Sequence, residues 1–502
     1  MDQPAAPLSH LLSRWLFLRL LGVVYLIAFA SLAVQVTGLV GEHGLLPARS
    51  FLERAHSAYG GQAYQLLPTV FWLGASDLAL RLVAWGGAAL AVLLILGLAP
   101  IPTLVLLWAL YLSLTVVGQD FLSFQWDALL LEAGLLAILW APLRRLPRGR
   151  EPPASTVARW LLVFLLFKLM FLSGLTKLLS GDPTWRSFTA LDYHFETQPL
   201  PPWTAWYAHN LPGSVHRAAT LVMFAIELGA PWLLLAPVRL RRLRLAGCAA
   251  LVLLQLSIAA TGNYGFFNAL AIVLCIPVLD DDLLRRVLPL RLDESGGGST
   301  TRLLSLAVIA PVFFFLSVLS FGREIAYTLP DGSGLGLVPA WSDRVMGWVA
   351  PFRSFNGYGL FRVMTTQRPE IVIEGSRDGS DWAEYEFRSK PGAVDRRPGF
   401  VAPFHPRLDW QMWFAALDPS GNAEWLRSLA GHLLRGTPEV VALLRRNPFP
   451  DAPPRMIHLV VYDYRFTTPE ERRRTHAWWE RKPVGYLPVP LTGAEARPAP
   501  AR

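Results

Sequence analysis

Two lysines occur in an otherwise apolar stretch between Trp160 and Leu179, and their chemistry is the first feature that needs an explanation. Lys168 has about two helical turns of apolar residues on either side, and Lys177 lies at the rim of the same stretch. A lysine at the bilayer centre costs on the order of 3 kcal/mol, so it usually faces the bundle interior and has a partner. A lysine at a helix end can extend to the interface, and a desolvated lysine can serve as a general base.

Carboxylates that can pair with these lysines occur in two other apolar stretches. Asp127 and Glu132 lie in the run 121–134, and Glu227 lies near the middle of a later run. At a spacing of five residues, Asp127 and Glu132 are about 140° apart on a helix, so they share a broad face at best. A buried pair with a lysine of the next span can fix helix register or can take part in catalysis, and the sequence leaves both roles open.

An ionisable and aromatic cluster directly follows the lysine stretch. His194 stands beside two carboxylates, which is compatible with a general base or a metal ligand, although isolated clusters of this kind are usually solvated loop residues. The sequence has no HxH or HExxH spacing, so no metal site is predicted. The aromatic and cationic members can bind an anionic or planar group, or can lie in the interfacial aromatic belt. The cluster consists of Trp185, Arg186, Asp192, Tyr193, His194 and Glu196.

A second aromatic and charged cluster lies much later in the chain, at Arg407, Asp409, Trp410 and Trp413. Such residues form either a buried core or a contact surface for another protein, because Trp and Arg dominate protein–protein hot spots. No Gly-x-Ser-x-Gly elbow, Walker loop or dinucleotide fingerprint occurs in the sequence. Hydrolase and nucleotide-binding functions therefore lack support.

The elements that position these residues are indicated by composition. The chain has 502 residues, of which 53% are hydrophobic and 17% are charged, and its mean hydropathy is +0.36. These values are typical of a polytopic α-helical membrane protein. The net charge of +9 comes largely from short arginine clusters between apolar runs, so it does not indicate a nucleic-acid partner. Cys248 and Cys275 lie in apolar runs, which predicts buried free thiols.

Nine apolar runs are long enough to be candidate membrane spans. Arginine clusters follow spans four, six and eight, and all three fall on one face if there are nine spans. The positive-inside rule then places the N-terminus in the cytoplasm and everything after Phe321 outside. The same rule places loops 37–78, 118–125 and 180–216 outside. The predicted spans are 15–36, 79–98, 101–117, 126–141, 158–179, 217–236, 244–260, 264–279 and 303–321.

The composition changes after about residue 326, where a bundle domain of residues 1–326 is predicted to end. Alternating segments at 370–374 and 382–387 predict a β-hairpin, and 456–464 predicts a further strand. Short helices are predicted at 424–434 and 438–446, the second with Thr437 as its N-cap. These features predict a mostly β extracytoplasmic domain at 327–490, and the Ala-, Pro- and Arg-rich segment 491–502 is predicted to be a disordered tail.

Five stretches together resemble the lipase maturation factor family. They are FLSFQWDALLLEAG, KLMFLSGLTK, DPTWRSFTALDYHFETQPLPPW, NGYGLFRVMTTQRPEIVIEGS and PRLDWQMWFAAL, and they run from the fourth span to the outer domain. The resemblance implies a membrane-embedded factor, in the endoplasmic reticulum of animals, that helps secreted lipases to fold and assemble. In a bacterial inner membrane the client would instead be an unknown secreted or envelope protein.

A shorter stretch, FLSGLTKL at 171–178 followed by an acidic residue and Trp185, is similar to vitamin K-dependent γ-glutamyl carboxylase. That resemblance implies a helical bundle followed by an extracytoplasmic β-rich domain, and it places the base that deprotonates the hydroquinone at Lys177. The similarity is short and does not extend to other catalytic positions of that enzyme.

The sequence therefore supports two hypotheses. The first is a chaperone-like maturation factor, without a cofactor, that recognises a secreted client through outward-facing residues. The second is a membrane enzyme with a quinone-like or other lipid-soluble substrate, in which Lys177 is the base, Asp127, Glu132 or Glu227 is its charge partner, and His194 lies near the mouth of the site. The client-binding residues of the first hypothesis are Trp185, Arg186, Asp192, Tyr193, Glu196, Trp203, Arg407, Asp409, Trp410 and Trp413.

Overall fold

The computed structural model describes residues 9–144, 146, 150–290, 292–294, 300–334, 336, 338–487 and 491–492. The apolar runs form helices because a helix satisfies its own backbone hydrogen bonds inside a membrane. The helices up to the lysine stretch are α1 (Leu11–Ala33), α2 (Val36–Val40), α3 (Ala48–Tyr59), α4 (Ala63–Leu66), α5 (Asp77–Leu96), α6 (Pro100–Val117), α7 (Gln125–Trp140) and α8 (Thr156–Leu179).

The helices that follow include short ones between the membrane spans and others in the C-terminal region. They are α9 (Pro183–Arg186), α10 (Ala190–Thr197), α11 (Trp203–His209), α12 (Gly213–Leu234), α13 (Arg241–Thr261), α14 (Phe267–Cys275), α15 (Asp281–Leu284), α16 (Thr300–Thr328), α17 (Ala340–Val349), α18 (Arg407–Leu417), α19 (Ala423–Arg435), α20 (Pro438–Val441) and α21 (Pro469–Thr475).

Among the described residues, seven helices are long and apolar enough to cross a membrane: α1, α5, α6, α8, α12, α13 and the Leu306–Thr328 part of α16. Two predicted spans form shorter helices. The run 126–141 gives the 16-residue α7, and the run 264–279 gives α14, which a 3-10 turn extends to Val278. The chain is therefore a polytopic membrane protein, and nine crossings remain a prediction.

The N-terminus of α1 and the three basic loops meet at one end of the bundle, which we call the basic end. The carboxylate of Asp281 accepts hydrogen bonds from the backbone N–H groups of Leu11 and Leu12, both at 2.9 Å. Arg14 pairs with Glu151 of the loop before α8 at 3.1 Å. These contacts agree with the predicted placement of the loops on one face. Arg145 and Arg148 of the first basic loop lie outside the described residues.

The C-terminal region packs on the opposite end of the bundle. One continuous cluster of buried apolar side chains includes Phe29 of α1, Leu166 of α8, Ile371 in the C-terminal region and Leu408 of α18. The predicted division at residue 326 thus separates two parts of the chain that share one core. The loops predicted to lie outside contribute α2–α4 and α9–α11 at this end.

The C-terminal region contains a five-stranded antiparallel sheet. A separate two-residue parallel pair joins β1 (Arg150–Glu151) to β2 (Asp293–Glu294). The sheet order is β4-β3-β5-β6, with β7 also paired to β5. The longest pairing runs from Pro369↔Asp463 to Ser376↔Met456. The strands are β3 (Pro369–Ser376), β4 (Trp382–Glu384), β5 (Met456–Phe466), β6 (Trp479–Tyr486) and β7 (Leu491–Thr492).

Several local predictions are confirmed and others need correction. The hairpin and the strand at 456–464 are present, but β4 ends at Glu384 rather than at 387. The helix predicted at 438–446 ends at Val441, and the Thr437 hydroxyl contacts His432 Nδ1 at 2.9 Å instead of capping that helix. The region also contains α18, α19 and α21, so it is mixed α and β rather than mostly β.

The predicted tail begins later than expected. Leu491 and Thr492 pair with β5, and residues 493–502 lie outside the described part of the chain.

Candidate functional site

Both lysines of α8 form buried ion pairs with carboxylates of neighbouring helices. Lys168 Nζ lies 2.6 Å from Glu132 Oε1 of α7, and both side chains are almost completely buried. The Tyr358 hydroxyl donates to Glu132 Oε2 at 2.6 Å. Asn356 also donates to Oε2, from its backbone N–H at 3.2 Å and from Nδ2 at 3.3 Å, so the carboxylate is held by four donor groups. The pair joins α7 to α8, which agrees with one of the two roles that the sequence left open for Glu132, the fixing of helix register.

Lys177 is paired with Glu227 of α12. Its ammonium lies 3.0 and 2.9 Å from the two carboxylate oxygens and 3.0 Å from the carbonyl oxygen of Ser173, so all three N–H donors are used. Gly174 makes this contact possible, because a Cβ at Gly174 would lie 2.9 Å from Glu227 Cβ. Of the three carboxylates considered for Lys177, the structure brings only Glu227 to it.

Asp127 does not pair with a lysine of α8, contrary to the prediction. Its carboxylate instead receives Arg407 Nη1 at 2.6 Å and Arg407 Nη2 at 2.7 Å. The Tyr111 hydroxyl donates to the same carboxylate at 2.5 Å. This pair joins the first residue of α18 to α7 and is almost completely buried. It connects the C-terminal region to the membrane bundle through a two-point Arg–carboxylate contact.

The cluster in α18 is part of the protein interior. Asp409 accepts the backbone N–H groups of Ser389 and Lys390 at 2.5 and 3.0 Å. Burial raises the pKa of Asp409, and these hydrogen bonds oppose the increase. Trp410 packs edge-on against Trp126 with ring centroids 4.9 Å apart, and Trp413 Nε1 donates to the carbonyl oxygen of Thr197 at 2.7 Å. Of the two alternatives for this cluster, the structure shows the core.

The residues of the loop after α8 differ in exposure. Trp185 is buried and donates to the carbonyl oxygen of Phe361 at 2.9 Å, whereas Arg186 is exposed. Asp192, Tyr193, Glu196 and Trp203 are partly buried. Of the residues predicted to bind a client, Arg186 is thus the most accessible. The buried ones are Trp185, Arg407, Asp409, Trp410 and Trp413.

An apolar cavity of about 490 Å³ lies between α8, α10, α12 and α13. Lys177, Glu227 and His194 line it. The enzyme hypothesis requires Lys177, a carboxylate and His194 to line one cavity, and the structure shows this arrangement. Asp127 and Glu132 do not line this cavity and belong to the two other ion pairs. Across the described residues, no group of three or more His, Cys, Asp and Glu side chains is arranged to hold a metal ion.

Buried histidines outside the membrane spans are expected to make stability depend on pH. Burial lowers the pKa of His194, His209 and His432 to about 4. These groups stay neutral in the fold but take up a proton in the unfolded chain below about pH 6.5. Stability is therefore complete above that pH and is lost as the pH falls toward 4.

We expect thermal unfolding in detergent to occur at a lower temperature at about pH 5 than at about pH 7. The change His194→Gln is expected to reduce this difference between the two pH values. An unfolding temperature that rises on acidification would contradict the assignment of neutral buried histidines.

Arg368 is a structural residue that the sequence analysis missed. Its guanidinium donates to the carbonyl oxygens of Glu196, Gln198 and Pro199 at 2.5–2.9 Å and to Glu370 at 2.8 Å. It thereby joins the loop after α8 to β3. Nothing in its local sequence signals this role, because its partners lie about 170 residues away along the chain.

Comparisons with known proteins agree with this architecture. A family model described as the lipase maturation factor transmembrane domain matches residues 12–286, and one described as the lipase maturation factor C-terminal domain matches 354–488. No solved structure matches the chain.

Relatives match over most of the chain. Lipase maturation factor 2 of Rattus norvegicus is 38% identical, covering 93% of this chain and 81% of the relative. Lipase maturation factor 2 of Homo sapiens is 37% identical, covering 94% and 81%. Lipase maturation factor 1 of Bos taurus is 34% identical, covering 97% and 90%. On these matches, the chain belongs to the lipase maturation factor family.

Proposed function

We propose that this protein assists the folding or assembly of a secreted lipase, in the manner of a chaperone, on the extracytoplasmic side of its membrane. The observation that carries the proposal is the match to proteins named lipase maturation factors over more than nine-tenths of the chain. The clustering of the loop after α8 with the sheet at one end of the bundle gives such a client a single face to meet.

One ion pair and two sets of hydrogen bonds hold that face in a fixed arrangement. Asp127–Arg407 joins the bundle to α18, Arg368 joins the loop after α8 to β3, and Trp413 joins α18 to that loop. A buried hydrogen-bond network favours one arrangement of the elements that it connects. Client contact is then left to the exposed and partly buried residues at this end. The predicted ones among them are Arg186, Asp192, Tyr193, Glu196 and Trp203.

A catalytic role for Lys177 receives less support. A base must first be uncharged, and the two Glu227 oxygens and the Ser173 carbonyl form a site complementary to an ammonium ion. The relatives named above are maturation factors, and their names describe no enzyme activity. We therefore assign the Lys177–Glu227 pair to holding α8 and α12 together.

The client contact is tested with a photoreactive residue in place of Arg186, in cells that express the full chain and a secreted lipase. Replacement of Arg286 is the matched control, because Arg286 is also an exposed arginine but lies at the basic end. We expect an adduct containing the lipase from position 186 and none from position 286. Equal adducts from both positions, or none from 186 while the lipase is present, would argue against this surface.

The proposed orientation gives a separate prediction. Cys248 and Cys275 are buried, so a single introduced cysteine reports its own accessibility. A membrane-impermeant maleimide added from the extracytoplasmic side is expected to label Ser57→Cys but not Arg286→Cys, since these exposed positions lie at opposite ends of the bundle. Labelling of Arg286→Cys alone would contradict this prediction and show that the basic end is extracytoplasmic.

A further inference from the structure

The apolar cavity next to Lys177 opens between two membrane helices. At Gly247, α12 and α13 are in close contact, because a Cβ there would lie 2.8 Å from the carbonyl oxygen of Ala230. The cavity residues lie toward the N-terminus of α12 and toward the C-terminus of α13, away from this contact. Val222 and Leu253 line the cavity and are also 58% and 62% exposed. Since both belong to membrane-spanning helices, the mouth of the cavity faces the lipid phase.

His194, which lines the cavity, has a buried ring nitrogen without a hydrogen-bond partner among the described residues. The Tyr264 hydroxyl donates to Gln198 Oε1 at 2.9 Å, and the Gln198 amide is fixed because its Nε2 donates to the carbonyl oxygens of Phe195 and Thr261. The only proton of Tyr264 is thus engaged. His194 Nε2, 3.1 Å from the Tyr264 oxygen, must then be the donor in that contact.

This arrangement fixes the histidine tautomer. With the proton on Nε2, His194 Nδ1 carries a lone pair, and it has no hydrogen-bond partner among the described residues. Leaving a buried polar atom without a partner is unfavourable, so an unsatisfied acceptor on a residue that lines a cavity points to a group that satisfies it when bound.

The charges in the cavity select against an ionic head group. Lys177 and Glu227 neutralise each other, and they are the only charged residues that line the cavity in the described part of the chain. An anionic head would have to displace Glu227 from Lys177, and a cationic head would have to displace Lys177, so either would leave a buried charge without its partner. The remaining walls are mostly apolar side chains, with the uncharged polar side chains of Ser173, Gln255, Ser257, Thr261 and Tyr264 among them.

We infer that this cavity binds an uncharged lipid alcohol from the bilayer, whose hydroxyl donates to His194 Nδ1 and whose apolar chain lies between α12 and α13. The volume of about 490 Å³ is within the range of small-molecule sites. The site is separate from the client-facing residues, and its occupancy does not depend on the identity of the client.

The test uses the full-length protein in nanodiscs and a monooleoylglycerol that carries a diazirine in its acyl chain. We expect saturable adducts on α12, α13 or Phe361, and competition by unlabelled monooleoylglycerol but not by oleate. Val222→Trp, at the exposed mouth, is expected to reduce labelling about tenfold by filling the entrance. Leu221→Trp is the matched control, because Leu221 is its exposed neighbour outside the cavity lining, and it should leave labelling unchanged.

The acceptor is tested separately with His194→Phe, which keeps an aromatic ring but removes Nδ1, and labelling is expected to weaken about fivefold. The thermal unfolding of each variant is measured as a control, because a cooperative transition shows that the variant is folded. Non-saturable labelling that Val222→Trp and Leu221→Trp affect equally would show annular lipid only and overturn the site. Equal competition by oleate would overturn the uncharged head group.

Discussion

Replacing Arg407 by methionine is expected to destabilise the protein by about 3–5 kcal/mol, because Asp127 is then left as a buried carboxylate without its cation. Arg407 supplies two of the hydrogen bonds to Asp127, and both side chains are 1% exposed. The expected result is a lower unfolding temperature of the purified protein and a smaller folded fraction in the membrane.

A surface pair provides the matched control for that variant. Arg54 and Glu424 also join the N-terminal half to the C-terminal region, but their side chains are 59% and 75% exposed and 3.6 Å apart. Arg54→Met is expected to change stability by less than about 1 kcal/mol. If Arg407→Met were as mild as Arg54→Met, the Asp127–Arg407 pair would not be what fixes the C-terminal region to the bundle.

The second large effect is expected at Lys177. The single change Lys177→Met leaves Glu227 unpaired between α8 and α12, and a loss of about 3–5 kcal/mol is expected. Adding Glu227→Leu removes the orphaned charge, and an apolar pair of similar volume is expected to restore most of the stability. Thermal unfolding of the two single variants and the double variant gives the coupling energy between the side chains.

The double variant also separates structure from chemistry. If the pair only holds the helices together, cells with Lys177→Met/Glu227→Leu should produce active lipase at close to the wild-type level. A variant that is stable and present at normal amounts but supports no lipase maturation would show that the ammonium itself is required, and would revive the enzyme hypothesis.

The membrane bundle was largely predictable because a membrane span has a simple signature. Runs of apolar residues placed α1, α5, α6, α8, α12, α13 and α16 near their observed positions. The predicted run for α7 differs from the helix by one residue at each end, whereas α14 begins three residues later than predicted. Both are short helices enclosed by other parts of the protein, and an enclosed helix need not match the bilayer thickness.

The ion pairs were predictable only in part. A pair between a lysine of α8 and a carboxylate of the preceding α7 was expected from the spans, but the sequence did not select Lys168 and Glu132 as its members. The partner of Asp127 lies 280 residues away, where Arg407 opens a helix that the sequence did not indicate. Periodicity and composition contain no information on such a contact, so the role of the α18 cluster could not be decided before the structure.

The cavity was even less visible in the sequence. Its acceptor arises from a chain of hydrogen bonds that joins His194 and Gln198, at the end of α10, to Tyr264, which lies between α13 and α14. The sequence marked His194 because carboxylates stand beside it, yet the hydrogen bond of its ring is to Tyr264, and Asp192 contacts His216 at 2.7 Å. His194 was therefore singled out in the sequence for neighbouring carboxylates to which its ring is not hydrogen-bonded in the structure.

The most direct test of the proposed function is the activity of each secreted lipase per unit of lipase mass, in the organism that encodes this chain, with and without its gene. Lipase maturation predicts that deletion lowers this specific activity for at least one lipase while its transcript is unchanged, and that the wild-type gene restores it. Unchanged specific activity and unchanged secreted mass for every lipase in the deletion strain would contradict the account.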